Sequence, residues 1–252
     1  MSRKILTDPR RKWALFLYGV GFAFGLLVAI GTIWPDLEAS LFGRDIYSVQ
    51  RQVGGSMPLR CPVFLTLADG SGVVRASLVN PSNVRGAQVP VRARISDGYV
   101  SLVREVYGVV QLEPGERKTL AYDIFESDVT FNRFILVRVY AIRSTPYLGG
   151  QASCGVWWLN IPLFKGWQVL ALLLLISVAG LAYGNYVWQR YGADSPRSVE
   201  FGQFLLVMTG LILLILFAGL MGWWLIGISL LAILVLILAM FGLVIEYFGG
   251  SD

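Results

Sequence analysis

The sequence predicts a membrane protein of four transmembrane α-helices carrying one extracytoplasmic all-β sandwich, and three observations predict it. Residues 13–34, 166–189 and 201–245 contain no Asp, Glu, Lys or Arg. All eight tryptophans fall at or near the ends of the helices those stretches imply, where an amphipathic ring prefers the membrane–water boundary. Between the first and second stretches the pattern changes to alternating apolar and polar residues broken by turn signals, the period of strands.

A chain of 252 residues that is 56% hydrophobic, with a mean hydropathy of +0.63, is too apolar for an ordinary soluble domain. A bilayer core needs about 20 apolar residues per spanning helix. The first two stretches therefore predict one span each, 13–34 and 166–189. The third is about twice the required length. It is interrupted by "GLMGWWLIG", where glycines flank an aromatic pair, and so reads as a hairpin of spans 203–221 and 224–246.

Orientation follows from the excess of Lys and Arg in short cytoplasmic flanks. Arg3, Lys4, Arg10, Arg11 and Lys12 make residues 1–12 a basic cytoplasmic N-terminus. With four spans, the loop 190–202 and the tail 247–252 are cytoplasmic as well, and everything between the first two spans lies outside. That places a linker at 35–58 and the sandwich at 59–160, in a cell or inner membrane protein with both termini inside. A cleaved signal peptide shares the basic flank, but an apolar run of about 22 residues exceeds the usual 7 to 15, and "GTIWPDLEAS" is a poor cleavage site. The net charge of +5 is no nucleic-acid signal, because residues 35–165 are close to balanced and the basic flank supplies much of the excess. Membrane lipid and a protein partner, or a second copy in a homo-oligomer, are the expected contacts.

In the outer section, "CPVFLTL" and "GVVRASLV" read as strands joined by "ADGS", a hairpin-type connector in which Asp69 and Gly70 supply positive φ. "NPSN" at 80–83 is a turn. In "VPVRARIS", Val91, Ala93 and Ile95 face one side and Arg92, Arg94 and Ser96 the other. "YVSLVREVYGVVQL", "RKTLAYDIF" and "NRFILVRVYAIRS" follow, with "EPG" at 113–115 as a sharp turn. Short strands separated by turn signals in this way indicate a β-sandwich. A strand ending in Asn80 and Pro81, followed later by Leu112, Pro114, Gly115 and Glu116 as an L-x-P-G-E turn, resembles a bacterial immunoglobulin-like (Ig-like) or CARDB-type domain. The resemblance covers 59–160, rests on turn chemistry, and departs from antibody domains in its Cys and Trp spacing. It implies an Ig-like sandwich.

One strand is apolar on both faces. In "FILVRVYAIR", Ile135, Val137, Val139 and Ala141 form one face, while Phe134, Leu136, Tyr140 and Ile142 make the other nearly as apolar, broken by Arg138. Sandwich strands normally show water a polar face. Either a loop such as 36–58 covers the second face, or Phe134, Leu136, Tyr140 and Ile142 are a docking surface for a partner.

Cys61 and Cys154 are the two cysteines, both in the section placed outside, where thiols are commonly oxidised. A bond between them would clasp the domain's opening and closing strands just above the membrane, contributing on the order of 4 kcal/mol in the chain-entropy model. Free buried thiols are the alternative. Catalytic or zinc use is disfavoured because the chain has no His to act as base or complete a ligand set.

The missing histidines also remove most catalytic triads and usual haem ligation. Glu113, Glu116, Asp123, Glu126 and Asp128 read as solvated loop acids. No P-loop, dinucleotide or kinase signature appears. No catalytic residue, cofactor or metal site is expected. In the spans, Ser177, Asn185, Thr209 and Ser229 are too sparse for a transport pathway. Gly21 with Gly25, and Gly180 with Gly184, are spaced four apart at overlapping depths, which lets two helices approach closely. The expectation is a non-enzymatic accessory, assembly or interaction subunit. Extracytoplasmic ligand or carbohydrate binding through Arg92, Arg94, Tyr99 and Tyr107 is the alternative, and a membrane-embedded enzyme or carrier the third reading.

Overall fold

The computed structural model describes residues 9–41, 55–80, 85–97, 99–142, 150–191 and 196–249. Contacts divide the chain into two compact units, Met1–Ile33 with Ala171–Asp252, and Trp34–Leu170.

Four helices occur among the described residues: α1 (Pro9–Leu41), α2 (Gly166–Tyr191), α3 (Pro196–Leu220) and α4 (Trp224–Gly249). Pro9–Leu41, Gly166–Tyr191 and Ser198–Leu220 are each long and apolar enough to cross a membrane, and Trp224–Met240 is a shorter apolar helix. The break between α3 and α4 falls where the sequence placed its hairpin tip. Gly222 adopts a left-handed φ of 72°, while the Trp223 N–H donates to Ala218 O at 2.9 Å and the Gly222 N–H to Gly219 O at 3.0 Å. This closes α3 in the manner of a glycine C-cap.

Two helices run further than hydropathy marks. α1 continues past Trp34 through "PDLEASL", seven residues expected to begin the linker. Leu37, Glu38, Ala39 and Leu41 are good helix formers, and the charges and proline of the segment conceal the helix from a hydropathy reading. α3 begins at Pro196 rather than 203, with proline at the first helical position, where its missing N–H costs nothing.

The second unit holds nine strands among the described residues: β1 (Gly55–Ser56), β2 (Leu59–Arg60), β3 (Phe64–Thr66), β4 (Ser71–Val79), β5 (Ala87–Asp97), β6 (Tyr99–Leu112), β7 (Arg117–Phe125), β8 (Phe134–Ala141) and β9 (Gly150–Leu159). They form a six-stranded sheet, ordered β1-β9-β8-β5-β6 with β3 also on β9, and a three-stranded sheet β2-β4-β7. The two sheets share one core. Val74, Ala76, Leu78 and Ile124 of the smaller sheet pack with Val89, Val91, Ala93, Ile95, Ile135, Val137 and Val139 of the larger, all buried. Alternation on β4 and β5 delivers these side chains to one face, as period two requires.

Connectivity departs from the sequence reading at "ADGS". β3 pairs in parallel with β9, while β4 pairs with β2 and β7, so the connector carries the chain between sheets instead of closing a hairpin. Gly70 does take a positive φ, of 68°. The decisive group is Asp69, whose Oδ2 accepts from the Thr66 N–H (2.9 Å), the Thr66 hydroxyl (3.0 Å) and the Gly166 N–H at the start of α2 (2.8 Å). Those bonds hold the turn to a segment far along the chain. The "EPG" turn likewise passes between sheets, from β6 to β7, with Gly115 at φ 77°. Asn80 is fully buried at the end of β4, and its amide donates to Glu113 O at 3.0 Å. The Asn80 and L-x-P-G-E signals, 32 residues or more apart in sequence, thus meet in space. Residues 81–84, the remainder of "NPSN", lie outside the described residues.

Candidate interaction surfaces and buried polar sites

Phe134, Leu136 and Tyr140, candidates for a partner surface, are buried, and Ile142 is exposed. The last turns of α1 lie over the first two: Ala39 clusters with Phe134 and Leu136, against Val103 and Trp157, and the Phe134 and Trp157 rings meet edge to face at 5.0 Å. Of the two readings of this face, cover by the chain's own segment is the one seen, at least around Phe134 and Leu136. The part of the expected linker that covers it is helical, 35–41, while 42–54 lies outside the described residues.

β9 shows why that helix end fits. Cys154, Val156 and Trp158 point into the shared core, so Gly155 and Trp157 face the other way. A Cβ at Gly155 would collide with the Pro35 backbone. The Gly155 N–H, on the edge of β9 between its pairings with β1 and β3, donates to Asp36 Oδ1 at 3.0 Å. Burial raises the Asp36 carboxyl to about 6, against the lowering effect of that hydrogen bond. Arg138 anchors the same end, donating to Ser40 O at 3.3 Å and to Gln151 Oε1 at 3.2 Å.

Cys61 and Cys154 are joined in a disulfide, with Cα atoms 6.5 Å apart and a separation of 93 positions in sequence. The bond joins the segment between β2 and β3 to the middle of β9, with Cys154 in the shared core.

Arg92 and Arg94, the candidate ligand residues, face outward from β5. Register places Tyr107, Arg92 and Tyr140 in one cross-strand row and Glu105, Arg94 and Arg138 in the next. Glu105 accepts from Arg92, from Arg94 Nε at 2.9 Å and from the Tyr107 hydroxyl, and the Arg92 guanidinium lies over the Tyr107 ring at 5.2 Å. The Arg92 hydrogen bond, then that of Tyr107, draws the Glu105 carboxyl down to about 2, and the same bond raises the Tyr107 phenol. Glu105 escaped the sequence reading; hairpin register with Arg94 would have found it. The side chain of Tyr99 lies outside what is described.

β6 forms one edge of the larger sheet. It is 14 residues long and, among the described strands, pairs only with β5. Leu102, Tyr107 and Val109 are 51%, 64% and 68% exposed. From Val106 to Leu112 the strand holds no charge and no proline, the devices that usually blunt an edge.

In the helical unit, glycines set the contact of α1 with α2. A Cβ at Gly21 would stand 2.6 Å from Leu181 N and 2.8 Å from Ser177 O; one at Gly180 would stand 2.7 Å from Gly21 Cα; one at Gly184 would stand 2.9 Å from Ala14 O. A Cβ at Gly25 would stand 2.8 Å from the Ser177 hydroxyl and 3.1 Å from Ile212 Cγ1 of α3. Ser177 is fully buried, with no hydrogen-bond partner for its hydroxyl among the described residues. Asn185 and Thr209 come together, joined by Tyr18, which the sequence reading passed over. Asn185 Nδ2 donates to Thr209 Oγ1 at 2.7 Å, and the Tyr18 and Thr209 hydroxyls reach Leu205 O at 3.0 and 2.8 Å. Three helices are thus linked by uncharged groups that satisfy one another. Ser229 donates to Leu225 O of its own helix.

Of the loop acids, Asp128 is buried, with Arg104 Nε and Nη2 donating to its carboxylate at 3.0 and 2.7 Å, while Glu116 accepts from the Glu113 N–H at 2.8 Å. These are structural pairings. Among the described residues no group of three Asp, Glu or Cys is placed to hold a metal ion. No protein-family model matches this chain, and no curated protein matches it.

Proposed function

We propose that this chain is an integral membrane accessory or assembly subunit that acts without catalysis, presents its sheet unit outside the cytoplasm, and takes a strand from a protein partner or a second copy along β6. The spans in this reading are 13–34, 166–189, 203–221 and 224–246, with both termini cytoplasmic and an Ig-like sandwich outside. Asp36 then lies beyond the first span, within the sheet unit. The observation that carries the interaction role is the uncharged run of β6, whose outer edge pairs with none of the described strands and from which Tyr107 and Val109 stand out, because such an edge is a ready template for strand addition. The disulfide supports an oxidising compartment for that unit.

Two measurements test this. Lys118 is exposed on β7, and Lys118→Cys should react with a membrane-impermeant maleimide in intact cells; reaction only after lysis would invert the orientation. Tyr107→Lys with Val109→Lys should abolish a stoichiometric partner chain seen after mild-detergent purification, and an unchanged stoichiometry would remove the edge from consideration.

A second reading, binding of an anionic ligand or acidic carbohydrate outside the cell, draws on two guanidiniums, Arg92 and Arg94, on one face of β5 around the one carboxylate of Glu105. Because Glu105 already occupies both, a ligand would have to displace it, and Glu105→Gln should then raise affinity for an acidic sugar. Equal or weaker binding would end that reading.

A further inference from the structure

We propose that Arg60 and Arg75 bind a phosphate group, free or as a monoester, on the outer face of the smaller sheet, with the Ser77 and Thr119 hydroxyls completing the donor set. The site lies wholly within the sheet unit and is independent of the orientation and the partner edge proposed above.

Strand register brings the two guanidiniums together. β2 pairs antiparallel with β4 so that Arg60 stands opposite Arg75, and Arg75 in turn stands opposite Ala121 of β7. Side chains directly opposite on antiparallel strands share a face, with Cβ atoms about 5 Å apart. That face is the solvent side: Val74, Ala76 and Leu78 enter the core, whereas Arg60, Arg75 and Ala121 are exposed. β2 is only two residues long, but the residue after Arg60 is Cys61, whose bond to Cys154 pins this segment to β9.

Like charges directly opposite one another destabilise a sheet. Elsewhere in the unit guanidiniums are compensated: Arg92 and Arg94 share Glu105, and Arg104 holds Asp128. Among the described residues neither Arg60 nor Arg75 has a hydrogen bond or ion pair to another side chain. On these strands the nearest carboxylate by register is Asp123, opposite Val73 in the adjacent row, and it pairs with neither. An anion that joins the two arginines therefore removes a repulsion as well as making new bonds.

The donor set selects the anion. One guanidinium fork satisfies a carboxylate, whereas a phosphate monoester carries about two negative charges on three oxygens, which matches two forks side by side. The flanking row adds Ser77 opposite Thr119, their hydroxyl oxygens 3.4 Å apart. Only one O–H can be used between them, which leaves the other to donate. Ala121 puts a methyl group where a longer side chain would fill the space beside Arg75.

The test uses the full chain in neutral detergent, titrated with inorganic phosphate, glycerol phosphate or acetate at constant ionic strength, and reads calorimetric binding and the unfolding midpoint of the sheet unit. Phosphate should bind saturably and raise the midpoint; the tighter of the two phosphates identifies the source, and either one supports the site. Arg60→Gln and Arg75→Gln should each weaken binding by about tenfold or more, the contribution of a charged hydrogen bond, and remove the rise in midpoint. Arg75→Lys, which keeps the charge and loses the fork, should fall between parent and Arg75→Gln. Thr119→Val should weaken binding by roughly fivefold, and Lys118→Gln, on the opposite face of β7, should leave it unchanged. Absence of saturable binding by either phosphate, an affinity indifferent to Arg75→Gln, or equal competition by acetate would overturn the site. An affinity that rises in Glu105→Gln and ignores Arg60→Gln would move the anion to β5 and overturn it as well.

Discussion

In the sheet unit the core is made of side-chain volume, with Val, Leu and Ile from two sheets filling the space between them, whereas in the helical unit α1 and α2 meet where side chains are missing. In the membrane reading proposed above, the difference follows from solvent. Removing apolar surface from water drives two sheets together at about 25 cal/mol per Å². Helices surrounded by lipid gain no such term from one another and associate through close backbone approach and interhelical hydrogen bonds. The sheet unit therefore tolerates repacking and is held by a covalent clasp, while the helical unit depends on a few positions where nothing larger than glycine fits.

The largest expected effect tests the clasp. Cys61→Ser with Cys154→Ser should cost about 4 kcal/mol, since the bond closes a long loop in the unfolded chain. The urea midpoint of the sheet unit should fall accordingly, and reductant should reproduce the fall in the unmodified protein. A midpoint indifferent to reductant would mean that the core alone holds the sheets.

Next comes the glycine contact. Gly180→Leu drives a side chain into the backbone of α1 and should cost about 3 kcal/mol, the upper end for overpacking. Gly19 supplies the control on the same helix: nothing lies within 4 Å of the Cβ position there, so Gly19→Leu should stay within about 0.5 kcal/mol of neutral. Thermal loss of helicity in detergent, compared between the two variants, separates a specific contact from general sensitivity to larger residues. Equal losses would erase the contrast drawn between the units.

The joint of α1 with β9 sharpens the comparison, because it places a carboxylate in the interior of the sheet unit. Asp36 binds its proton more tightly in the folded state, its carboxyl being raised from 3.8 to about 6. Folding therefore becomes more favourable as pH falls through 6 toward 4, and the penalty for the ionised form is fully present above 6. Asp36→Asn keeps an acceptor for the Gly155 N–H and removes the charge. It should stabilise the protein by about 2 kcal/mol at pH 7.5 and flatten the dependence between pH 4 and 6.5, measured as urea midpoints across that range. A variant with the parent's pH profile would show that Asp36 is solvated.

What the sequence made legible divides along the same line. The four apolar helices, the break at Gly222 and the alternation of β4 and β5 are local patterns, and local patterns are readable. The cysteine pair was readable too, because only two candidates exist and compartment chemistry favours their union. The partners of β3 were not, since "ADGS" has the composition of a hairpin, while the pairing of β3 with β9 and the bond from Gly166 to Asp69 both join segments nearly a hundred residues apart. The cover over Phe134 and Leu136 was anticipated as one of two outcomes, but its helical form was hidden by the polarity of "PDLEASL". Glu105 and Tyr18 were missed for a shared reason: each acquires its meaning from a neighbour on another element, Arg94 in one case and Thr209 in the other.

The smallest expected effect concerns that last pair. Asn185, Thr209 and Tyr18 fasten α2, α3 and α1 through uncharged hydrogen bonds, with Asn185 and Tyr18 buried and Thr209 half-buried. Intuition assigns such bonds a large value in an apolar medium, yet in membranes they average about 0.6 kcal/mol and seldom exceed about 1.7, because the separated helices find other partners. Asn185→Leu and Thr209→Val should each cost about 1 kcal/mol, and the double variant should cost less than their sum, since either change already breaks the shared bond. Thermal unfolding of the three variants in one detergent gives the coupling directly. A strictly additive pair would mean that the two side chains act through separate contacts, leaving the glycine approach as the main bond between the helices.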